Sequence, residues 1–316
     1  MSFFTGNDLV TLKGIQRDDL DRLFNLADRM DPIVRDRRRI DLLADKVLGL
    51  AFFQVSTRTR ISFESAMVRL GGAVVGFADP KTTRAGDYYA ESLSDVMRMM
   101  EGYSDMIVVR HPRDGAPAEA AEAVGVPIIN AGDGYNEHPT QSLLDVYTIR
   151  RERGPLDGLR IALVGDMNMR VMHALPVALA NYDCHVDFIS PKDRTMPSQW
   201  LDLYRSLGLR FEAHETLEGI LEAVDVIYLM GTLTPSYSKG LTSTDEQRPT
   251  TPRAYVIDSA KMERLNEGAI VLHPLPRTDE LPPEVDESPH ARYFEQAHHG
   301  VAVRMALLAL IQGRDL

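Results

Sequence analysis

The strongest constraint on the fold is an alternation. Short apolar runs of strand length are separated by segments with helical spacing, and the alternation starts twice. The first run, Val47 to Val55, is continuously apolar, which suits a strand buried on both faces of a parallel sheet. A helix over Ser62–Leu70 follows and ends at Gly71-Gly72, and Ala73–Phe77 reads as a second strand. Glu91–Tyr103 reads as helix, Met106–Val109 as a strand closing at Arg110-His111-Pro112, Val126–Asn130 as a strand and Thr140–Arg151 as a helix. Ahead of these, Leu20–Met30 places Leu20, Leu23, Phe24 and Ala27 on one helical face.

The pattern restarts beyond Gly154-Pro155. Strands are expected over Arg160–Val164, His185–Ile189, Arg210–Ala213, Val226–Leu229 and Ala269–Leu272. Helices are expected over Val171–Asn181, Gln199–Leu207 and Leu217–Ala223, with a final apolar helix over Val301–Gln312. A chain of 316 residues is long for one core and comfortable for two domains. The expected fold class is therefore α/β, with two doubly wound parallel-sheet domains meeting near Arg150–Gly154. In such sheets ligands bind at the carboxyl ends of strands.

Composition excludes some classes. The net charge of −11 gives no general attraction to nucleic acid or to an anionic membrane. No apolar stretch approaches the ~18 residues of a membrane span, and Met1 to Gly6 lack the regions of a signal peptide. Cys184 is the only cysteine, so no intrachain disulfide forms; a reducing, cytoplasmic setting is expected. Any phosphate site must then be a local cluster of arginines.

Ser56-Thr57-Arg58-Thr59-Arg60 is such a cluster, placed between the first strand and its helix. Free backbone N–H groups at a helix start favour an anion, hydroxyls add donors, and a guanidinium grips two phosphate oxygens. An ordinary helix cap with surface arginines is the plainer alternative; three hydroxyls and two arginines within five residues weigh against it. There is no Gly-x-x-x-x-Gly-Lys-Ser/Thr run, and Val164-Gly165-Asp166 does not continue into a dinucleotide fingerprint. His298-His299 lack acidic or cysteine partners at ligand spacing and are read as structural, and Cys184 as a small buried residue.

Two further runs join the first: Asp133-Gly134-Tyr135-Asn136-Glu137-His138-Pro139-Thr140-Gln141, and His273-Pro274-Leu275-Pro276-Arg277. Together with Phe53 to Glu64 they resemble the aspartate and ornithine carbamoyltransferase family, in order and spacing, over nearly the whole chain. Asn130-Ala131-Gly132-Asp133-Gly134 and Pro289-His290-Ala291-Arg292-Tyr293-Phe294 look closest to its aspartate branch. The resemblance implies a carbamoyl-phosphate-binding domain over residues 1–150, an acceptor-binding domain over 151–292, and a C-terminal helix over 293–316 that returns to the first domain. It implies that Ser56, Thr57, Arg58 and Thr59 hold the phosphate and that Arg110 reaches phosphate and carbonyl oxygen. His138 and Thr59 would donate to the carbonyl oxygen and Gln141 would orient the carbamoyl NH2. The backbone carbonyls of Leu275 and Pro276, across a cis peptide bond, would accept from that NH2 and from the incoming amine. Glu64 is read as a structural partner for an arginine. No metal or organic cofactor is implied, and the family's catalytic chains form homotrimers with shared sites.

The acceptor side departs from the aspartate pattern. The family places a lysine two residues before the glutamate at Glu91 and a serine a few residues earlier; here Tyr89 and Ala85 stand there, with Lys81 and Arg84 out of register. Where the family has Thr-Arg-Val-Gln, this chain has Met230-Gly231-Thr232-Leu233. The loop Gly165 to Arg170 is one residue shorter, although Arg170 still aligns with an acceptor-carboxylate arginine. The ornithine signature, a cysteine near His273 to Arg277, is also missing. The expected acceptor site is thus Arg170, Tyr89, Gly231 and Leu233, and the expected acceptor is an amino acid or amine other than aspartate. One alternative is a true aspartate carbamoyltransferase in which Lys81, Arg84 or Lys239 replaces the missing groups. Another is a non-catalytic paralogue serving as scaffold for a partner enzyme such as a dihydroorotase.

Overall fold

The computed structural model describes residues 3–84, 91–232 and 251–316. Two compact units emerge: residues 1–144 with 298–316, and residues 145–297. Each is built on one parallel sheet with flanking helices.

In the first unit, α1 (Arg17–Arg35) opens with a capping box between Gln16 and Asp19. Strands β1 (Val47–Phe52), β2 (Ala73–Phe77), β3 (Met106–His111) and β4 (Ile128–Asp133) pair in the order β2-β1-β3-β4, all parallel. Helices α2 (Arg58–Arg69), α3 (Leu93–Glu101) and α4 (Ala116–Ala123) make the crossovers, and α5 (Pro139–Arg153) follows β4. One side of the sheet packs Ala51, Ile107, Val109 and Ile128 against Val96, Met97 and Met100 of α3 and Ala116 and Ala120 of α4. Because β1 is followed by a turn toward β2 on one side and β3 lies on the other, the sheet has its switch point between β1 and β3. The carboxyl ends of those two strands therefore border a crevice.

The second unit repeats the logic. Strands β5 (Arg160–Val164), β6 (His185–Ile189), β7 (Arg210–His214), β8 (Val226–Leu229) and β9 (Ile270–Leu272) pair in the order β7-β6-β5-β8-β9, again all parallel. Helices α6 (Arg170–Leu179), α7 (Ser198–Ser206) and α8 (Ser259–Met262) flank it. Its switch point lies between β5 and β8. Helix α9 (Tyr293–Ile311) ends the chain, and from His298 onward it belongs to the first unit, where Ile311 O accepts from Gly6 N at 2.9 Å. No described helix is long and apolar enough to cross a membrane.

Three expectations need correction. The first strand stops at Phe52 rather than Val55, and Val55 is 69% exposed, so its apolar character marks a loop beside the crevice rather than core. Leu217–Ala223 is a single short 3-10 turn over Leu221–Ala223 rather than a helix; Gly219, at φ +83°, breaks it. Helix α2 begins at Arg58, four residues before the expected Ser62, which draws the arginine run into the helix itself.

Candidate active site

The first unit gathers the donor-side residues at its switch point. Thr57 is the N-cap of α2 and makes no side-chain cap bond there, so Arg58 and Thr59 form the first turn. This is the place where unpaired N–H groups and the helix dipole favour an anion. Thr59 is buried at 6% exposure, while Thr57 and Arg58 face solvent and Ser56 is half-buried. Burial of its guanidinium surroundings lowers the Arg58 pKa even though part of the side chain meets water. It remains a cation, but one already partly stripped of water and so favourable for an anion to approach. Arg60 instead turns to Glu64, one helical turn on, at 2.6 Å.

Arg110 stands in register with Phe52, one strand over, which brings it beside the start of the arginine run. Its Nη1 donates to Ala131 O at 3.2 Å and lies 3.4 Å from His138 Nε2. His138 is 4% exposed and Gln141 9%; His138 immediately precedes α5 and Gln141 lies in its first turn, where the N–H groups of Gln141 and Ser142 donate to His138 O. Residues from the end of β3 and the start of α5, separated by 28 positions, are thus brought within contact of each other.

A residue without an assigned role in the sequence holds this corner. Asp133, 1% exposed, accepts at Oδ1 from Asn130 Nδ2 (2.9 Å) and Glu137 N (3.1 Å). Its Oδ2 accepts from Gly115 N (2.7 Å) and Asn136 Nδ2 (3.0 Å). Glu137, equally buried, accepts from Thr11 Oγ1 at 2.7 Å and Leu12 N at 3.2 Å; burial raises its pKa against those bonds. The loop that delivers His138 is therefore pinned from both sides. The signal in the sequence was only the density of Asp, Asn and Gly at residues 130–136. His111, at the end of β3, is held neutral: burial first, then Arg113, brings its pKa down to about 4, and its Nδ1 accepts from Arg113 N.

In the second unit, the loop Gly165 to Arg170 leaves β5 beside β8. Gly165 has φ +129°, and a Cβ there would stand 1.8 Å from Met230 O, so only glycine fits. Asp166 Oδ1 accepts from Asn168 N and Nδ2, both at 3.0 Å, and its Oδ2 from Arg194 at 3.2 Å. Arg170 opens α6 with only 2% exposure, an unusual depth for a cation. Gly231 faces the Glu280 carboxylate, whose Oε2 would be 3.4 Å from an added Cβ.

The loop after β9 carries the other backbone groups. The Leu275–Pro276 peptide is cis, as the resemblance implied. His273 Nδ1 accepts from Leu275 N at 2.8 Å, and its Nε2 pairs with Glu280 Oε1 at 3.0 Å. Gln296 Oε1 accepts from His273 N at 2.8 Å and its Nε2 donates to Asp145 at 2.6 Å. Burial alone would raise the Glu280 pKa, but the bonds from His273 and Thr278 outweigh it and hold the carboxyl down near about 2. Arg277 is paired with Asp286 and packed between Tyr293 and Phe294, at 5.4 and 5.6 Å from the ring centroids. Of the remaining expected residues, Lys81 and Arg84 are exposed, and Tyr89, Ala85, Leu233 and Lys239 lie outside the described residues.

Two α/β units, each on a parallel sheet, one with an arginine-rich helix start and the other with a buried arginine at its own switch point, define the class: a two-unit α/β fold with candidate ligand sites at the carboxyl ends of its strands. Family models agree over most of the chain. The model described as aspartate/ornithine carbamoyltransferase, carbamoyl-P binding domain, matches residues 7–151, and the Asp/Orn binding domain of the same family matches residues 157–311. The chain belongs to the aspartate/ornithine carbamoyltransferase family. The aspartate carbamoyltransferase catalytic subunit of Methanopyrus kandleri is 42% identical over 315 residues, covering 99% of both chains, and that of Thermococcus onnurineus 41% over 310 residues, covering 98% of this chain and 97% of the relative. Among solved structures, aspartate transcarbamoylase from Trypanosoma cruzi in complex with carbamoyl phosphate and aspartate superposes with a TM-score of 0.85 at 34% identity, covering 98% of this chain and 97% of that one. The same enzyme with carbamoyl aspartate and phosphate gives 0.87 at 33% identity, covering 98% and 96%.

Proposed function

We propose that this carbamoyltransferase moves the carbamoyl group of carbamoyl phosphate to the amine of aspartate, releasing phosphate. The observation that carries the transfer is the convergence of Arg110 and His138, 3.4 Å apart, beside the arginine-led start of α2. Aspartate as acceptor rests on the relatives, which are named aspartate carbamoyltransferases at 41–42% identity over almost the full chain. It displaces the expectation of a different acceptor.

In this reading the first unit binds the donor. Ser56, Thr57, Arg58 and Thr59 hold the phosphate, and Arg110 bridges phosphate and carbonyl oxygen. His138, in the tautomer with a proton on Nε2, and Thr59 donate to the carbonyl oxygen as it becomes an oxyanion. Gln141 orients the NH2. The second unit serves the acceptor: Arg170 takes a carboxylate, and the Leu275 and Pro276 carbonyls accept from the carbamoyl NH2 and the attacking amine. The amine nitrogen forms its bond to the carbonyl carbon, the carbon–oxygen bond to phosphate breaks, and the leaving phosphate takes the amine proton. We place the enzyme in the cytoplasm as a homotrimer, after its family.

A second reading has one observation in its favour. The position where the family has an arginine for the second aspartate carboxylate holds Gly231, and the nearest side chain there is the anionic Glu280. An acceptor with a single carboxylate suits that pocket. Phosphate release from carbamoyl phosphate against a panel of amines, with mass detection of the ureido product, separates the two. Turnover with millimolar aspartate to carbamoyl aspartate supports the first; an inert aspartate beside a turned-over monocarboxylate amine supports the second. With Arg58→Ala, carbamoyl phosphate binding is expected to be lost, and unchanged donor affinity would place the phosphate elsewhere.

A further inference from the structure

Within the second unit, the outer strands of the sheet carry a cluster that carbamoyl transfer does not use. Strands β6 and β7 pair with Asp187 opposite Glu212. Side chains two apart on a strand share a face, so His185 and Asp187 of β6 lie on the same side as Glu212 and His214 of β7. His214 Nε2 is 3.0 Å from Asp187 Oδ1 and 3.6 Å from Glu212 Oε2. His185 Nε2 is 3.4 Å from the same Asp187 oxygen. One ligand atom from each of His185, Asp187 and Glu212 lies within 4.8 Å of the others. From these residues we propose a divalent transition-metal site of the zinc type on the β6–β7 edge, with His185, Asp187 and Glu212 as its ligands and His214 held on Asp187 beside them.

The spacing matches. Tetrahedral zinc with bonds of about 2.0 Å has ligand-to-ligand edges of about 3.3 Å; His185 Nε2 and Asp187 Oδ1 stand 3.4 Å apart, and Glu212 brings a carboxylate oxygen into a group within 4.8 Å. His185 Nε2 is shielded from solvent yet makes no hydrogen bond among the described residues, although it faces a carboxylate. Asp187 Oδ1 is already met by Arg160 Nη2 and His214 Nε2, both at 3.0 Å, which leaves His185 Nε2 facing the carboxylate unbonded; a cation between His185 and the two carboxylates would engage that nitrogen. Asp187 is fully buried and its orientation is fixed by Arg160, which donates from Nε to Oδ2 at 2.6 Å and from Nη2 to Oδ1 at 3.0 Å. Such an outer partner is what a metal-binding carboxylate commonly has. Glu212, 61% exposed, is free to swing and complete the set. The imidazole among the ligands favours zinc, nickel or copper over the hard cations magnesium and calcium. The expectation from sequence alone was that no metal is involved; it weighed His298-His299, whereas these ligands come from two strands that the register brings together. The site would clip the edge strand β7 to β6.

Titration of the full-length protein, stripped with chelator, against zinc chloride tests this by calorimetry, with cobalt absorption as a geometry readout. The expected result is one equivalent of zinc, visible cobalt bands of tetrahedral intensity, and no comparable binding of magnesium. The variant His185→Gln is expected to bind at least about 100-fold more weakly. Should that variant not fold, judged by its melting temperature and carbamoyl-phosphate-dependent activity, Glu212→Gln at the exposed position serves instead, with an expected loss of about tenfold. No stoichiometric zinc, or zinc binding unchanged in these variants, overturns the proposal.

Discussion

Replacing Asp133 by asparagine tests how the corner at His138 is held. The change keeps the shape but converts one of two acceptor oxygens into a donor. Each oxygen currently receives two N–H groups, from Asn130 and Glu137 at Oδ1 and from Gly115 and Asn136 at Oδ2. Whichever way the amide is placed, two donors then face a donor at a site with 1% exposure, where water cannot take over. A hydrogen bond to a charged group contributes about 1.5–3 kcal/mol. Losing two gives about 3–6 kcal/mol, and relaxation of the exposed Tyr135 turn lowers this toward about 3 kcal/mol. Urea unfolding of the two proteins, compared at equal slope, reads the difference. Because the same carboxylate fixes the loop into His138, the variant is also expected to lose turnover by tenfold or more with carbamoyl phosphate still bound through Arg58. A change below about 1 kcal/mol, outside the range for two lost charged bonds, would refute the idea that Asp133 organises this corner.

The other predictions are briefer. Gly165→Ala forces a Cβ into Met230 O at a φ of +129°; backbone strain alone costs about 1–3 kcal/mol, so the melting temperature should fall and the apparent KM for the acceptor should rise more than that for carbamoyl phosphate. Acid stability should fall in two stages. His111 has its folded pKa near about 4, below the ordinary 6.5, so the stability it contributes is complete above 6.5 and is lost as pH falls through 4; with its partial exposure this amounts to about 2 kcal/mol. Glu280, near about 2 against 4.5, contributes stability that is complete above 4.5 and is lost toward 2, about 3 kcal/mol. Unfolding followed from pH 8 to 2 in the protein and in Glu280→Gln should show the second stage flattened in the variant; an unchanged acid slope would mean that Glu280 is not the group concerned.

What the sequence made legible differs between the two sides of the reaction, for a physical reason. The proposed phosphate site lies in contiguous residues because a helix start presents neighbouring N–H groups and side chains to one anion, so Ser56 to Arg60 reads directly as a candidate. Arg110 and His138 were readable for a related reason: each closes or opens a regular element, and parallel register does the rest. Asp133 was not, since its partners come from four loop positions, one of them Gly115, 18 residues away, and side-chain-to-backbone cages leave no periodic trace. Helix α4 escaped for want of bulk: Ala116–Ala123 is almost entirely alanine and glutamate, so no large apolar stripe marks its face. The zinc-type cluster escaped because its ligands are 27 residues apart on two strands and meet only through β6–β7 pairing.

The acceptor side is harder to read because it depends on what is missing. An arginine lost from one loop position removes a contact, but specificity follows from whether a new group stands there or only space. At Gly231 the answer is a carboxylate, Glu280, already committed to His273 and Thr278 and therefore fixed in place and charged at neutral pH. A fixed anion of that kind repels a second acceptor carboxylate more than empty space would, since it cannot protonate to accommodate one until pH nears 2. If aspartate is nonetheless the substrate, a cation other than Arg170 is needed for its second carboxylate, and Lys81, Arg84 and Lys239 are the candidates. Lys239→Ala should then raise the KM for aspartate by tenfold or more and leave that for carbamoyl phosphate unchanged. Equal aspartate KM values in the variant and the parent protein would instead assign the whole carboxylate load to Arg170, and Arg170→Ala should abolish acceptor binding in either case.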